Sequence, residues 1–233
     1  MPHTAAVRLD ALLIGTAAPF GPPGKTSAIA KRPVDGLLFL GPEGFHGDEQ
    51  ADRRVHGGPE KAVHHYPRDH YAAWRDDLHP APAVLDAAGA FGENLSTTGL
   101  TEADVCVGDV WRLGGAVLQV AQGRQPCWKL NHRFGVRDMA KRVQTTGRTG
   151  WYYRVLEPGP VAHGDALSLI DRPHADWPLT RLLRVLYVDT LDRAALEAMA
   201  AMPVLAASWR TLAGNRLARG AVEDWNRRLD GGA

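Results

Sequence analysis

Two runs of alternating apolar and polar residues, separated by a glycine pair, constrain what this chain can fold into. Residues 107–113 and 116–122 form the runs, and Gly114-Gly115 lies between them. Glycine enters tight turns without steric cost, so the pattern predicts a β-hairpin. Other short apolar runs bounded by glycine or proline lie at residues 7–16, 34–40, 150–156 and 164–170. Many short strands at such intervals predict a mainly β fold, a barrel or a sandwich, rather than a doubly wound sheet.

Two short helices are predicted within the β region of the chain. Residues 67–78 place Tyr71, Trp74 and Leu78 on one helical face, and residues 135–146 follow a similar pattern. These are short helices that pack on the strands.

The composition changes after Asp171, and the remainder of the chain has helical periodicity. We therefore predict a β domain over residues 1–171 and a three-helix segment over residues 172–233, entered through a linker at 172–178. Asp192 and Ser208 are the predicted N-caps of its second and third helices. Three helices this short have a thin core alone, so they are expected to dock on the barrel.

Charge and composition exclude several classes of protein. The 27 Lys and Arg residues nearly balance the 26 Asp and Glu residues, so there is no electrostatic basis for binding nucleic acid or a membrane surface. No apolar run approaches the length of a membrane span. The first ten residues lack a secretory signal, so a cytoplasmic location is expected. Two cysteines, Cys106 and Cys127, fit a reducing compartment, and a single bridge between them stays open.

Cys127 lies in the most distinctive local motif, Gln125-Pro126-Cys127-Trp128-Lys129-Leu130. Its polar neighbours include Arg124, Lys129 and His132, a setting that suits a soft metal ligand or a thiolate nucleophile. The alternative is a buried thiol that only fills the core. The motif follows the second strand of the hairpin, so we expect the thiol on a loop at a strand exit.

Polar residues are concentrated in three other segments. Residues 25–31 combine lysines with hydroxyls and suit an anion, although a solvated basic loop is an equal alternative. Residues 47–66 are predicted to be a loop between strands that carries a binding site. A zinc site built on His56, His64 and His65 is disfavoured, because their spacing matches no known zinc pattern. Residues 91–96 hold Glu93 and Asn94, which suit either a heterocycle or a backbone loop.

Taken together, these motifs resemble the MOSC-domain family, in its YiiM-like branch of the 6-N-hydroxylaminopurine resistance type. The motifs that carry the resemblance are KTSAIAK at 25–31, the VHGG-containing stretch at 47–66, FGENL at 91–95, Gly108-Asp109 and QPCWKL at 125–130. The resemblance covers residues 8–171, and the helical tail resembles the 3-alpha domain of the same branch.

The resemblance implies a β-barrel that binds molybdenum cofactor, a pyranopterin, with Cys127 as the protein ligand to molybdenum; pyridoxal phosphate is not expected. It implies catalytic roles for Cys127, His56 and Arg54, with His56 as the candidate proton relay. The residues expected to contact the cofactor are Lys25, Ser27, Lys31, Arg54, His56, Lys61, Glu93, Asn94, Arg124 and Lys129.

The implied activity is reductive cleavage of N-hydroxylated compounds such as 6-N-hydroxylaminopurine, which detoxifies them. The sequence has no flavin, haem or iron–sulfur motif, so electrons are expected from a partner, either a flavin reductase or a small redox protein. The alternative is a module that carries the cofactor, or sulfur as a persulfide on Cys127, without catalysis. Monomer and homodimer both stay open.

Overall fold

Seven strands close into a barrel in the computed structural model, which describes residues 6–51 and 57–231. The strands are β1 Val7–Ile14, β7 Val63–Pro67, β8 Leu95–Thr97, β9 Val110–Leu113, β10 Ala116–Gly123, β11 Trp151–Glu157 and β13 Ala166–Asp171. Their order is β13-β9-β10-β11-β7-β8-β1, and Val7 of β1 pairs with Leu167 of β13 to close the sheet. Only the β7–β8 pair is parallel among these seven strands. The predicted mainly β barrel is confirmed.

Short strands cover the barrel. β2 Ala18–Pro19 pairs with β3 Thr26–Ser27, β4 Arg32–Pro33 pairs with the end of β1, and a small sheet contains β5 Leu38–Gly41, β6 Gly44–Phe45 and β12 Gly159–Val161. The strand predicted at residues 34–40 is therefore only partly right. A bend at Gly36 separates β4 from β5.

The predicted hairpin is confirmed as β9 and β10, with Leu113 opposite Ala116. Gly114 makes the turn with a φ of 54°. A Cβ atom there would lie 2.4 Å from Asp165 Oδ2 and 2.7 Å from the Pro160 carbonyl oxygen. Both the conformation and the close approach therefore require glycine.

Three helices pack beside the barrel: α1 His70–Asp77, α2 Lys129–Phe134 and α3 Met139–Thr146. The helix predicted from residue 67 starts later, because Pro67 still belongs to β7, opposite Thr97. The helix predicted from residue 135 starts at Met139, since Gly135 instead ends the unpredicted α2 in a left-handed conformation.

The loop predicted at residues 47–66 is wrong at its C-terminal end, where residues 63–67 form the barrel strand β7. His65 on this strand is fully buried. Its Nδ1 lies 3.1 Å from Tyr153 Oη and its Nε2 lies 2.8 Å from Thr97 Oγ1. Neighbouring strands thus satisfy both ring nitrogens, which lets a polar residue occupy a central strand.

Residues 172–231 of the tail form four helices: α4 Leu179–Tyr187, α5 Arg193–Ala200, α6 Ala207–Arg219 and the short α7 Asn226–Asp230. Asp192 caps α5 as predicted, accepting a hydrogen bond of 3.1 Å from the Ala195 N–H. The cap predicted at Ser208 is wrong, because α6 already begins at Ala207.

The tail and the barrel share one apolar core, as the predicted docking requires. Trp111 and Trp151 of the barrel belong to the same buried cluster as Leu182 and Trp209 of the tail. Burying a large apolar side chain stabilises a fold by about 1.5–3 kcal/mol. The tryptophans of this cluster therefore stabilise the packing of the tail on the barrel.

The segment predicted as a linker, residues 172–178, is itself packed. Arg172 donates hydrogen bonds of 2.9 and 2.7 Å to the buried Asp109 carboxylate, and Trp177 is buried. Within residues 6–51 and 57–231, every helix is too short or too polar to cross a lipid bilayer.

Candidate functional site

A cleft lies where β10 ends and β11 begins. Its walls come from the segment after β3, from residues 48–51 and from β7. The loop before β8, at residues 91–92, and the segment that carries Cys127 complete them. The lining residues are Ser27, Ala28, Ile29, Lys31, Asp48, Glu49, Gln50, Ala51, His64, Phe91, Gly92, Arg124, Cys127, Lys129 and Tyr152.

Cys127 is half-buried in the segment between β10 and α2. This confirms the prediction of a thiol at a strand exit. Cys106 is buried elsewhere, with its Sγ 3.7 Å from the Ala175 carbonyl oxygen, and no disulfide joins the two cysteines. Cys127 interacts electrostatically with Lys61 and Tyr152, so a cationic side chain lies near the thiol.

Arg124 is 5% exposed, and its Nη1 has no hydrogen-bond partner among the described residues. The same guanidinium interacts electrostatically with the Tyr152 hydroxyl. Burial raises the pKa of the Tyr152 hydroxyl, and the Arg124 charge partly opposes this effect. A buried guanidinium N–H without an acceptor is costly, so this side chain suits an anionic or carbonyl-bearing ligand.

Lys31 and Asp48 form a buried ion pair on one wall of the cleft, with side chains 8% and 2% exposed. Asp48 also accepts hydrogen bonds of 2.8 Å from the Gly15 N–H and 2.9 Å from Asn94 Nδ2. Burial lowers the pKa of Lys31, and the charge of Asp48 opposes the shift. The aspartate thus fixes the lysine in place and leaves little capacity for a second anion there.

Glu93 and Asn94 are buried but do not line the cleft. The Glu93 carboxylate accepts hydrogen bonds of 2.5 Å from Tyr71 Oη, 2.7 Å from the Gly89 N–H and 3.0 Å from the Phe91 N–H. It therefore folds the loop whose Phe91 and Gly92 reach the cleft.

Asn94 connects three parts of the barrel around the same site. Its Oδ1 accepts a hydrogen bond of 3.1 Å from the His64 N–H. Its Nδ2 donates one hydrogen bond of 3.1 Å to the Leu13 carbonyl and another of 2.9 Å to Asp48 Oδ2. The side chain is fully used by the protein, so it supports the cleft wall.

The remaining predicted residues occupy different positions. Ser27 and Lys129 line the cleft and are 5% and 8% exposed. Lys61 is half-buried near Cys127, and burial lowers its pKa while the Cys127 charge opposes the shift. Lys25 is exposed and lies outside the cleft lining. Arg54 and His56 fall outside the described residues.

His64, Asp48 and Tyr152 line the cleft but were not among the predicted contacts. The His64 ring centroid lies 4.9 Å from that of Tyr152, the Gly92 backbone interacts with the ring, and its Nε2 has no hydrogen-bond partner in the described part of the chain. Burial, and then the Arg124 charge, lower the pKa of His64 well below its usual value. The sequence offered little signal for these roles beyond a histidine pair next to a tyrosine.

The alternative zinc site was built on His56, His64 and His65, of which His56 lies outside the described residues. Across residues 6–51 and 57–231, no group of three or more His, Cys, Asp or Glu side chains is placed to hold a metal ion. Both ring nitrogens of His65 are hydrogen-bonded, to Tyr153 and to Thr97.

Comparison with known proteins adds a family and several relatives. A MOSC domain model matches residues 52–168, and a YiiM-like, 3-alpha helix domain model matches residues 177–220. Protein YiiM of Escherichia coli is 45% identical over 211 residues, which cover 90% of this chain and 93% of that protein. A protein of Gibberella moniliformis named Reductase is 46% identical over 162 residues, which cover 69% of this chain and 28% of that protein.

Solved structures agree with this comparison. The crystal structure of YiiM from Escherichia coli has a TM-score of 0.80 at 35% identity and covers 96% of this chain and 98% of its own. That of YiiM from Geobacillus stearothermophilus has a TM-score of 0.77 at 32% identity and covers 91% and 99%.

Proposed function

The chain belongs to the MOSC-domain family and carries a YiiM-like, 3-alpha helix domain, and from this premise we propose that it is a molybdenum-cofactor-dependent reductase of N-hydroxylated compounds. The observation that supports the proposal most strongly is one cleft that contains both the half-buried Cys127 thiol and the buried Arg124 Nη1, which no described residue pairs by a hydrogen bond. The relative named Reductase supports an oxidoreductase of some kind.

The donor set of the cleft fits molybdenum cofactor. Cys127 offers a soft sulfur ligand of the kind that a sulfur-rich molybdenum site takes. Arg124 and Lys129 offer buried cationic donors for a pterin phosphate or carbonyl, and Ser27 offers a hydroxyl. When bound, the cofactor would supply the two-electron redox chemistry of the reaction.

The proposed net reaction is R–NHOH plus two electrons and two protons, giving R–NH₂ and water. The tasks of the protein are then to orient the substrate, to limit water and to deliver protons. His56 remains our proposed proton relay, and Arg54 remains our proposed contact to the phosphate or pterin of the cofactor. Lys61, with a pKa lowered by burial, is placed near the thiol to assist charge balance.

Electrons are proposed to come from a flavin reductase or a small redox protein. In the Gibberella protein named Reductase, the matching segment is only 28% of the length, so that protein contains much sequence beyond it. We propose 6-N-hydroxylaminopurine and related base analogues as substrates and the cytoplasm as the location, where a reducing medium keeps Cys127 a thiol.

The test is metal analysis of protein made in a host that synthesises molybdenum cofactor. We expect about one molybdenum per chain, lost in Cys127→Ala and retained in the matched control Cys106→Ala. The loaded protein, given reduced methyl viologen, should convert 6-N-hydroxylaminopurine to adenine. Protein that contains labile sulfane sulfur and no molybdenum would instead support the persulfide carrier, and stoichiometric zinc would support a hydrolase.

A further inference from the structure

Two buried side chains that line the cleft, Arg124 and His64, each have a nitrogen without a hydrogen-bond partner among the described residues. Arg124 Nη1 is a donor and His64 Nε2 is a nitrogen that no described residue contacts by a hydrogen bond. The side chains belong to residues that are 5% and 3% exposed. Leaving buried polar groups of this kind unpaired is unfavourable, and a ligand that pairs with them removes that cost.

The tautomer of His64 is assigned from its surroundings. The Gly92 backbone interacts with the ring in the sense that raises its pKa, which is the effect of a carbonyl oxygen near a ring N–H. Nε2 has no hydrogen-bond partner among the described residues, so we assign the ring proton to Nδ1 and a lone pair to Nε2.

The ring is also held in a fixed position. Its centroid lies 4.9 Å from that of Tyr152 with the planes 31° apart, and the His64 backbone N–H is anchored on Asn94 Oδ1. Burial and the nearby Arg124 and Lys31 charges disfavour protonation, so the ring stays neutral and acts as an acceptor. This role differs from that of a proton relay.

We propose that His64 Nε2 accepts a hydrogen bond from an N–H of a nitrogen heterocycle bound in the cleft, while Arg124 Nη1 donates to an acceptor on the same ligand. Pterins and N-hydroxylated purines both carry an N–H beside an acceptor, so the cofactor and the substrate are two sources of one chemistry. The inference rests on the proposed function for its choice of ligands. It makes His64 a specificity determinant of the site.

Two substitutions separate the acceptor from the rest of the ring. His64→Asn places an amide N–H near the position of Nδ1, which keeps a donor for Gly92, but has nothing at Nε2. His64→Gln places an amide oxygen near the position of Nε2 and is the matched rescue variant. Thermal melting of both variants checks that each is folded.

The readouts are molybdenum per chain and the dissociation constants for neopterin, for 6-N-hydroxylaminopurine and for its N-methylated analogue, which lacks the exocyclic N–H. We expect His64→Asn to weaken binding of one N–H ligand roughly tenfold to a hundredfold, with partial recovery in His64→Gln. Loss of molybdenum and of neopterin binding assigns the contact to the pterin. Loss of the discrimination between the purine and its N-methyl analogue assigns it to the substrate.

Unchanged molybdenum, neopterin binding and purine discrimination in a folded His64→Asn variant would overturn the proposal. The imidazole ¹⁵N spectrum of the unsubstituted protein gives an independent reading, since a hydrogen bond to Nε2 must shift its resonance when a ligand is added, and an unmoved resonance also overturns it. Both binding measurements work on protein without molybdenum. A wild type that binds these heterocycles through His64 but takes up no metal would refute the proposed reductase and leave this inference standing.

Discussion

The carbonyl oxygen of Arg228, close to the end of the chain, accepts a hydrogen bond of 2.8 Å from the N–H of Trp128. The guanidinium of the same arginine donates to the carbonyl of Pro126. These two partners flank Cys127 in sequence. The last helix of the tail, α7, therefore holds the thiol segment from both sides.

Replacing Arg228 with methionine should loosen that segment. The variant loses the guanidinium bonds to Pro126 and Gln144 Oε1, the latter 2.6 Å long. We expect the free energy of unfolding to fall by about 2 kcal/mol and Cys127 to react several-fold faster with a thiol reagent, measured in a Cys106→Ala background. Arg227→Met, an exposed change in the same helix, is the control. Equal labelling rates in Arg228→Met and Arg227→Met would show that α7 does not restrain the thiol.

Asp48→Asn should be strongly destabilising, because it leaves the buried Lys31 without its counter-charge. Breaking a buried pair in this way costs about 3–5 kcal/mol. The double variant Lys31→Met/Asp48→Asn removes both charges and should recover part of that loss. Urea unfolding of the wild type, Lys31→Met, Asp48→Asn and the double variant measures the coupling between the two residues. Additive effects of the two single changes would contradict a coupled pair.

The stability of the protein should fall as the pH drops below about 6.5. Burial lowers the pKa of His65 to about 3 in the folded protein, whereas an unfolded histidine has a pKa of about 6.5. Between these values the unfolded chain binds the extra proton, so acid favours unfolding. Each such histidine contributes a loss of about 1.4 kcal/mol per pH unit, and His64, whose pKa is also lowered, adds to it.

Urea midpoints at pH 7, 6 and 5 measure this slope. The unfolding free energy of His65→Gln should depend less steeply on pH, by about one proton, because the substitution removes one of the two histidines that are buried among the described residues. A variant with the wild-type slope would mean that His65 does not remain neutral in the fold.

Glu60→Ala should weaken the junction between the barrel and the tail. Both carboxylate oxygens lie 3.0 Å from the Ala207 N–H at the start of α6, and one accepts a 3.2 Å bond from Arg154 Nη2. Loss of a helix cap costs about 1 kcal/mol. Glu60→Gln keeps an acceptor for Ala207 and should lose less, as chemical denaturation would show. If both variants had the same stability, the cap would contribute nothing.

The features that were predicted correctly depend on neighbours in sequence. Gly114-Gly115 between two alternating runs is enough to specify the hairpin, and Asp192 caps a helix that begins one residue later. Cys127 was placed correctly because it follows a strand. Ser208 was misplaced because serine is also compatible with a first helical turn, and the α6 N-terminus is capped instead by Glu60, 147 residues away.

The rest of the site depends on partners that are distant in sequence. His64 becomes a neutral acceptor only when Gly92 and Arg124 enclose it, and Asp48 becomes a wall of the cleft only through Lys31 and Asn94. The strand at residues 63–67 was missed for the same reason, since Tyr153 and Thr97 make a buried histidine tolerable. Local pattern cannot contain this information.

The contact between α7 and the thiol segment has an evolutionary consequence. The Arg228 contacts and the 2.8 Å hydrogen bond from Asn131 Nδ2 to the Leu229 carbonyl lie beyond residue 220, where the match to the 3-alpha helix domain ends. A chimera that takes its tail from a relative would therefore also replace the α7 contacts to the segment around Cys127. Substitutions near the C-terminus and in the QPCWKL motif should have changed together during descent.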